Sequence, residues 1–234
     1  MHKNNNILNY KTKIDYQSKS IIEVSHMGPR DRKERELEER RKHFLEKSKE
    51  LFFTHGYHEV TIQDICDAVE YGRSAVYSLF ESKEEIYSYI YLDAMKIIAD
   101  LNTSINPDSD DFDGEMIKCA ENLFMFYSDY TDYYKALSYF NTNAVAHSKI
   151  PPKIMEEKER LLEQAGMPAA ALMARHIQKG YIKEFTIPDF IQLFFSSIIG
   201  IINHFIYTED ENDKDKIHQF IMLHTRLYLD GLKK

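Results

Sequence analysis

TIQDICDAVEYGRSAVYSLFESKEE, residues 61–85, decides the fold. Behind Thr61, the apolar residues Ile62, Ile65 and Val69 recur three and four apart, the period of one helix face. A threonine at that point can cap the free amides of the first turn, and Asp64 sits well against the positive end of the helix dipole. The polar Glu70-Tyr71-Gly72 then breaks the stripe. A short helix is predicted from Arg73 to about Phe80, anchored by Val76 and Phe80, with Arg73, Ser74, Tyr77 and Ser78 facing outward. Ser82 and Glu85 match the S-x-x-E capping box and open a longer helix reaching about Leu101. Two short helices across a tight turn, flanked by longer ones, describe a helix-turn-helix.

Working outward, a first helix is expected from Arg32 to His55, with Phe44, Leu45, Ser48, Leu51 and Phe52 on one face and Gly56 as its stop. Residues 1–32 show no period and contain Gly28-Pro29, so they read as an N-terminal arm. Lys3, Lys11, Lys13 and Lys19 of that arm could touch phosphates, although an inert tail is the favoured reading, and Met27 is as eligible a start as Met1. No apolar secretory h-region is present in the first twenty residues, which points to the cytoplasm.

Downstream, helices are expected at about 114–128, 130–147, 151–180, 188–207 and 213–232, with no two-residue alternation of a strand. The fold class is therefore all-α: a three-helix helix-turn-helix domain at 33–95 and a larger helical domain for sensing and dimerisation at 96–234. The acidic stretch Asn106 to Gly114 lacks the register of a calcium loop and reads as a solvated loop. Phe190 to Tyr207 is strongly apolar, but Gln192, Asn203, His204 and a run shorter than about 20 residues argue against a lipid span. With the stripe of the last helix it is expected to build a four-helix interface between two copies, through Phe194, Ile198, Ile202, Ile217, Ile221, His224 and Tyr228.

The net charge of −8 argues against a general nucleic-acid binder. Its distribution does not: residues 1–55 hold 13 Lys+Arg against 9 Asp+Glu, and the rest 17 against 29. Cys66 and Cys119, 53 positions apart in apolar helical settings, read as reduced and buried. No HExxH and no nucleophile turn is present among the motifs, so neither an enzyme nor a metal or cofactor is expected.

The pattern Phe44-Leu45, Leu51-Phe52, Gly56-Tyr57, Thr61-Ile62, Ile65-Cys66, Val76-Tyr77, Phe80, Ser82-Lys83-Glu84 and Ile86 resembles the N-terminal DNA-binding region of the TetR family of one-component regulators, over about residues 37–95. The resemblance implies that Thr61, Tyr77 and Lys83 reach DNA phosphates and that Arg73, Ser74, Ala75 and Ser78 meet base edges. Taken singly, Thr61 is a cap, Tyr77 a packing aromatic and Lys83 a solvated charge; on one side of a helix-turn-helix they favour DNA contact. Three positions depart from the family pattern: Val69 replaces a small residue, Glu70 stands where a turn glycine is usual, and Gly72 stands where a capping hydroxyl is common. Gly72 is expected to take over the permissive backbone role. Residues 56–86 carry seven acids against Arg73 and Lys83, so phosphate attraction is expected to lean on Arg40, Arg41, Lys42 and Lys47.

A twofold dimer would place its recognition helices about 34–36 Å apart and read a palindrome in double-stranded DNA. A small-molecule effector would release it by favouring a conformer with the wrong spacing. The effector pocket is assigned to the aromatic middle helices, with Phe124, Tyr127, Tyr134 and Phe140 as candidates, a lining that suits flat or cationic molecules. The alternative is a DNA-bound adaptor whose C-terminal domain holds another protein; a solid core with an exposed aromatic patch would favour it.

Overall fold

The computed structural model describes residues 29–208 and 213–234. Most of the arm expected at 1–32 lies outside these residues, as does the alternative start at Met27. Helix α1 spans Pro29–His55, beginning three residues before the expected Arg32. Contacts divide the chain between Lys42 and His43 into two compact units. The first unit contributes the start of α1, with Arg32 to Arg40 exposed. From His43 onward α1 turns one face inward through Phe44, Ser48 and Phe52. It stops at Gly56, whose φ of +82° is the left-handed conformation a glycine adopts without steric cost.

Helix α2 spans Ile62–Val69, and its Ile65, Cys66 and Val69 are buried. The residue that takes the left-handed turn after it is Glu70, at φ 58°, whereas Gly72 has the ordinary extended values of a helix N-cap. The expectation that Gly72 would absorb the unusual backbone is thus corrected. The turn is closed from Tyr71 N–H to the Cys66 carbonyl at 3.1 Å, and this closure fixes position 70 as the left-handed one. Helix α3 is only Arg73–Tyr77; beyond it Leu79 and Phe80 both donate to the Val76 carbonyl, a tightened last turn that drops two apolar side chains into the core.

Helix α4, Lys83–Asn102, starts at the expected Ser82 cap, where the hydroxyl accepts from Glu85 N–H at 3.0 Å. The Glu85 carboxylate reaches one residue further back than a capping box requires, accepting from Glu81 N–H at 2.7 Å. The boundary expected at 95/96 falls inside this single helix, which runs from the helix-turn-helix into the larger helical set. There follow α5 (Phe112–Asp129), α6 (Thr131–Thr142), α7 (Ala144–Ser148), α8 (Pro152–Gln178), α9 (Ile187–Thr208) and α10 (Lys214–Leu232). The single helix expected at 130–147 is broken at Asn143, which caps α7 by accepting from Ala146 N–H at 3.0 Å. Among the described residues no strand occurs, only an isolated bridge between Ile182 and Lys233.

Buried polar groups fix the junction of α4, α5 and α8. Asn102 donates to the Ala165 carbonyl at 2.9 Å, one turn before Pro168 inside α8. Asn122 donates in turn to Leu101 and Asn102, at 3.0 and 3.2 Å. Each amide is satisfied, as burial of polar groups demands. The acidic loop is held: Asp110 pairs with both Arg175 and Lys179 of α8, which keep its carboxyl down at about 2, and the Ser109 carbonyl lies 3.0 Å from His176 Nε2. Among the described residues no cluster suited to a metal ion occurs.

Helix α9 corrects two expectations. Ile187–Ile206 is long and apolar enough to cross a membrane, so the argument from length does not hold. In this fold α9 is one-sided: Phe190, Phe194, Ile198, Ile202 and Phe205 are buried in the protein's own core, as are Ile217 and Ile221 of α10. Fully enclosed side chains cannot meet another chain, so these five of the seven residues assigned to dimerisation (Phe194, Ile198, Ile202, Ile217 and Ile221) are instead the seam holding α9 and α10 in place. Tyr228 packs on Phe190 and Phe194 at 5.1 and 5.8 Å, and His224 is half-buried beside it. The apolar side chains that do face outward are Leu193 (59% exposed), Phe220 (49%), Leu223 (56%) and Leu227 (65%).

Candidate functional site

Helix α3 is too short to stand alone, so its orientation comes from Val76, fully buried beneath it, and from the Leu79 and Phe80 anchors. With those turned in, Arg73, Ser74, Tyr77 and Ser78 all face solvent, and Tyr77 is 55% exposed. Ala75 is half-buried against the core, so of the four residues expected at base edges it projects least. Arg73 is steadied across the turn by a bond from its Nε to the Gln63 side chain of α2 at 2.8 Å. The remaining guanidinium nitrogens form a planar donor set. Ser78 donates to the Ala75 carbonyl at 2.7 Å, which occupies its hydroxyl proton locally.

Thr61 and Lys83 are engaged inside the protein. Thr61 forms a full capping box: its oxygen accepts from Asp64 N–H at 3.2 Å, while its own N–H and O–H both donate to the Asp64 carboxylate at 2.7 Å. These bonds hold the Asp64 carboxyl below the usual range. Lys83 Nζ donates to the carbonyls of Tyr57 and Val60, each at 2.7 Å, and lies 4.1 Å from the centre of the Tyr57 ring. Desolvation lowers its pKa despite the nearby Glu84 and Asp64. The ammonium therefore ties the start of α4 to the turn between α1 and α2, a role its sequence position does not announce. Arg40 is exposed and Arg41 half-buried on α1, within the first unit.

Behind this surface lies an aromatic node. Tyr57 packs at a tilt against Tyr139 at 4.3 Å and Tyr87 at 4.7 Å, and Tyr139 also meets Phe140 at 5.2 Å. Burial raises the phenol pKa of Tyr57, Tyr87 and Tyr91, the last to about 12. Next to the node opens a cavity of about 690 Å³. Its floor is one face of α6, read at helical spacing as Thr131, Tyr134, Lys135, Ser138, Tyr139 and Thr142. Its walls include His58, Tyr127, Asn143, Ile206 and Lys214.

Of the four residues expected to contact a ligand, Tyr127 and Tyr134 line this cavity, and Tyr134 O–H donates to Asn203 at 2.7 Å. Phe124 and Phe140 do not. Phe124 packs on His218 at 4.8 Å, and Phe140 is buried against Tyr91 at 5.3 Å, both as ordinary core neighbours. The residues missed by sequence reasoning are His58, Lys135 and the hydroxyls of α6, whose 131-134-135-138-139-142 spacing was readable but looks like a solvated face. Cys66 and Cys119 are buried as expected, and burial raises both thiol pKa values, Cys119 to about 12.

Residues 44–90 match the family profile of the bacterial regulatory proteins of the tetR family. Solved structures with the same fold include the TetR family transcriptional regulator PfmR from Thermus thermophilus, 19% identical, with a TM-score of 0.57 over 82% of this chain and 99% of that one. A protein from Saccharomonospora viridis described as a transcriptional regulator, solved in complex with choline, is 17% identical, with a TM-score of 0.60 over 84% of this chain and 99% of that one. A tetR-family regulatory protein from Rhodococcus RHA1 is 14% identical with a TM-score of 0.60, over 82% of this chain and 96% of that one. No curated protein matches the chain at a significant level.

Proposed function

We propose, on the premise that residues 44–90 are a tetR-family DNA-binding domain on the fold of such regulators, that the protein is a ligand-released repressor binding a palindromic operator as a homodimer. The observation that carries the reading is the outward face of α3, where Arg73, Ser74, Tyr77 and Ser78 are exposed together above a buried Val76. A short helix so presented can lie in a major groove, with Arg73 on base edges and Tyr77 O–H on a phosphate. Arg40 and Arg41 are further candidates for phosphate attraction by their charge, and Thr61 and Lys83 act in the same reading by holding the turn that aims α2 and α3. A regulator of this kind works in the cytoplasm, where the chromosome is.

The dimer belongs to the same proposal. Helices α9 and α10 pair two copies through their outward residues Leu193, Phe220, Leu223 and Leu227, an exposed apolar set that a lone soluble chain would not favour. A small molecule is preferred to a protein partner because Tyr127 and Tyr134 are buried around a cavity and form no exposed aromatic patch. The Saccharomonospora viridis structure, with choline bound, is support by analogy for a small organic effector.

Selection of bound sequences from random DNA with the purified full chain tests the reading, and enriched palindromes are expected. Tyr77→Ala should then weaken binding to every sequence by roughly tenfold while leaving dimerisation intact, as loss of a positioning contact does. Absence of any enriched sequence would remove the regulator reading.

A further inference from the structure

The cavity carries a charge that its aromatic walls conceal. Its lining among the described residues contains Lys135, Lys214 and His58 and no carboxylate. Lys135 projects from α6 in solvent contact and is paired with no carboxylate among the described residues. Lys214, in the first turn of α10, donates one bond to the Ser128 carbonyl at 2.8 Å, which leaves two of its three N–H groups. The remaining polar lining consists of hydroxyls, phenols and one amide; Tyr134, Thr131 and Thr142 already donate to Asn203, Tyr127 and Ser138. A cationic guest would meet two ammonium groups with no carboxylate among the described lining residues, and a neutral one would leave their remaining N–H groups without an ionic partner. An anion would gain charge-assisted hydrogen bonds, the stronger kind.

We propose that this cavity is the site of a small aromatic carboxylate, its ring against Tyr127, Tyr134 and Tyr139 and its carboxylate toward Lys135 and Lys214. The aromatic lining had suggested a flat or cationic guest; the lysines select an anionic one. The proposal deepens the regulator reading and rests on it for its consequence. His58 and Tyr139 both line the cavity and lie 5.9 Å apart, and Tyr139 packs on Tyr57, whose carbonyl and ring hold Lys83. A guest that shifts either ring therefore pushes on the turn that leads into α2.

Calorimetric titration of the full chain with 2-naphthoate, 2-naphthalenemethanol and (2-naphthylmethyl)trimethylammonium tests the charge selectivity without DNA. The carboxylate is expected to bind saturably, and the neutral and cationic isosteres at least about tenfold more weakly, the size of a charged hydrogen bond. Lys135→Gln, at an exposed position, should remove most of that preference, and Lys135→Glu should turn it toward the ammonium. Equal affinities for the three compounds, no saturable heat from the carboxylate, or a carboxylate affinity unchanged by Lys135→Gln would each overturn the proposal. Operator affinity measured separately keeps the two readings apart: 2-naphthoate that binds but leaves operator affinity unchanged supports the anion site and counts against effector release.

Discussion

The ring of Tyr57, just after the glycine that ends α1, lies 4.3 Å from the ring of Tyr139 on α6. One partner stands in the turn leading into the helix-turn-helix and the other lines the cavity, so a packing contact also links the two, beside His58, which belongs to the turn and lines the cavity itself. Tyr139→Ala should remove its contacts with Tyr57, Tyr87 and Phe140 and destabilise the protein by about 2–3 kcal/mol, the lower part of the range for aromatic truncation because the side chain is half-buried. Tyr139→Phe should retain most of that stability. Urea midpoints at constant slope are the measurement, and equal stability of the Ala variant and the parent would discard the node.

Lys83 offers a choice between two roles that salt can separate. If its ammonium serves to hold Tyr57 and Val60, Lys83→Met should cost about 1–2 kcal/mol of stability through two lost charged hydrogen bonds. DNA affinity would fall with the misplaced turn, but the slope of log affinity against log salt would stay unchanged. A slope reduced by about one would instead identify a phosphate contact.

Glu70 is held at φ 58°, a left-handed conformation that disfavours any residue with a Cβ. Glu70→Gly should stabilise the protein by about 0.5–1 kcal/mol, since relief of strain exceeds the added freedom of the unfolded chain. Thermal midpoints should rise by roughly 1–3 °C. Glu70→Ala keeps the strain and should give no gain; a gain of equal size in both variants would place the effect elsewhere, in removal of an acid from the acidic turn.

His224 gives a pH dependence of known sign. Burial lowers its pKa below the usual 6.5, and its Nε2 is buried without a hydrogen-bond partner among the described residues. As pH falls below about 6.5 the unfolded chain takes up this proton before the folded one, so stability declines through that window and is regained above it. Compared with the parent, His224→Gln should lose less stability between about pH 7.5 and pH 5. Parallel midpoint curves for the two proteins would show that His224 contributes nothing to acid sensitivity.

Much of the fold was legible because it is local. The Thr61 cap, the Ser82 cap and the Gly56 stop involve groups within four residues of one another, and each is found where the sequence puts it, while the Asp64 carboxylate adds the second half of a capping box. The helical periods of 112–232 were equally readable, apart from the break at Asn143. Helical spacing tells that a stripe is buried and is silent about what buries it. Phe194, Ile198, Ile202, Ile217 and Ile221 were therefore assigned to a second chain, when the neighbouring helices of the same chain enclose them.

From the sequence alone came most helical periods, the caps at Thr61 and Ser82 and the outward set Arg73, Ser74, Tyr77 and Ser78, because hydrogen bonds and periodicity inside one turn need no distant partner. The tertiary structure alone decided the rest. It set Lys83 on carbonyls 26 and 23 residues away, bonded Lys214 to a carbonyl 86 residues away, and turned a polar face of α6 toward a cavity. Such contacts depend on how helices close in space, a packing outcome that no window of neighbouring residues contains.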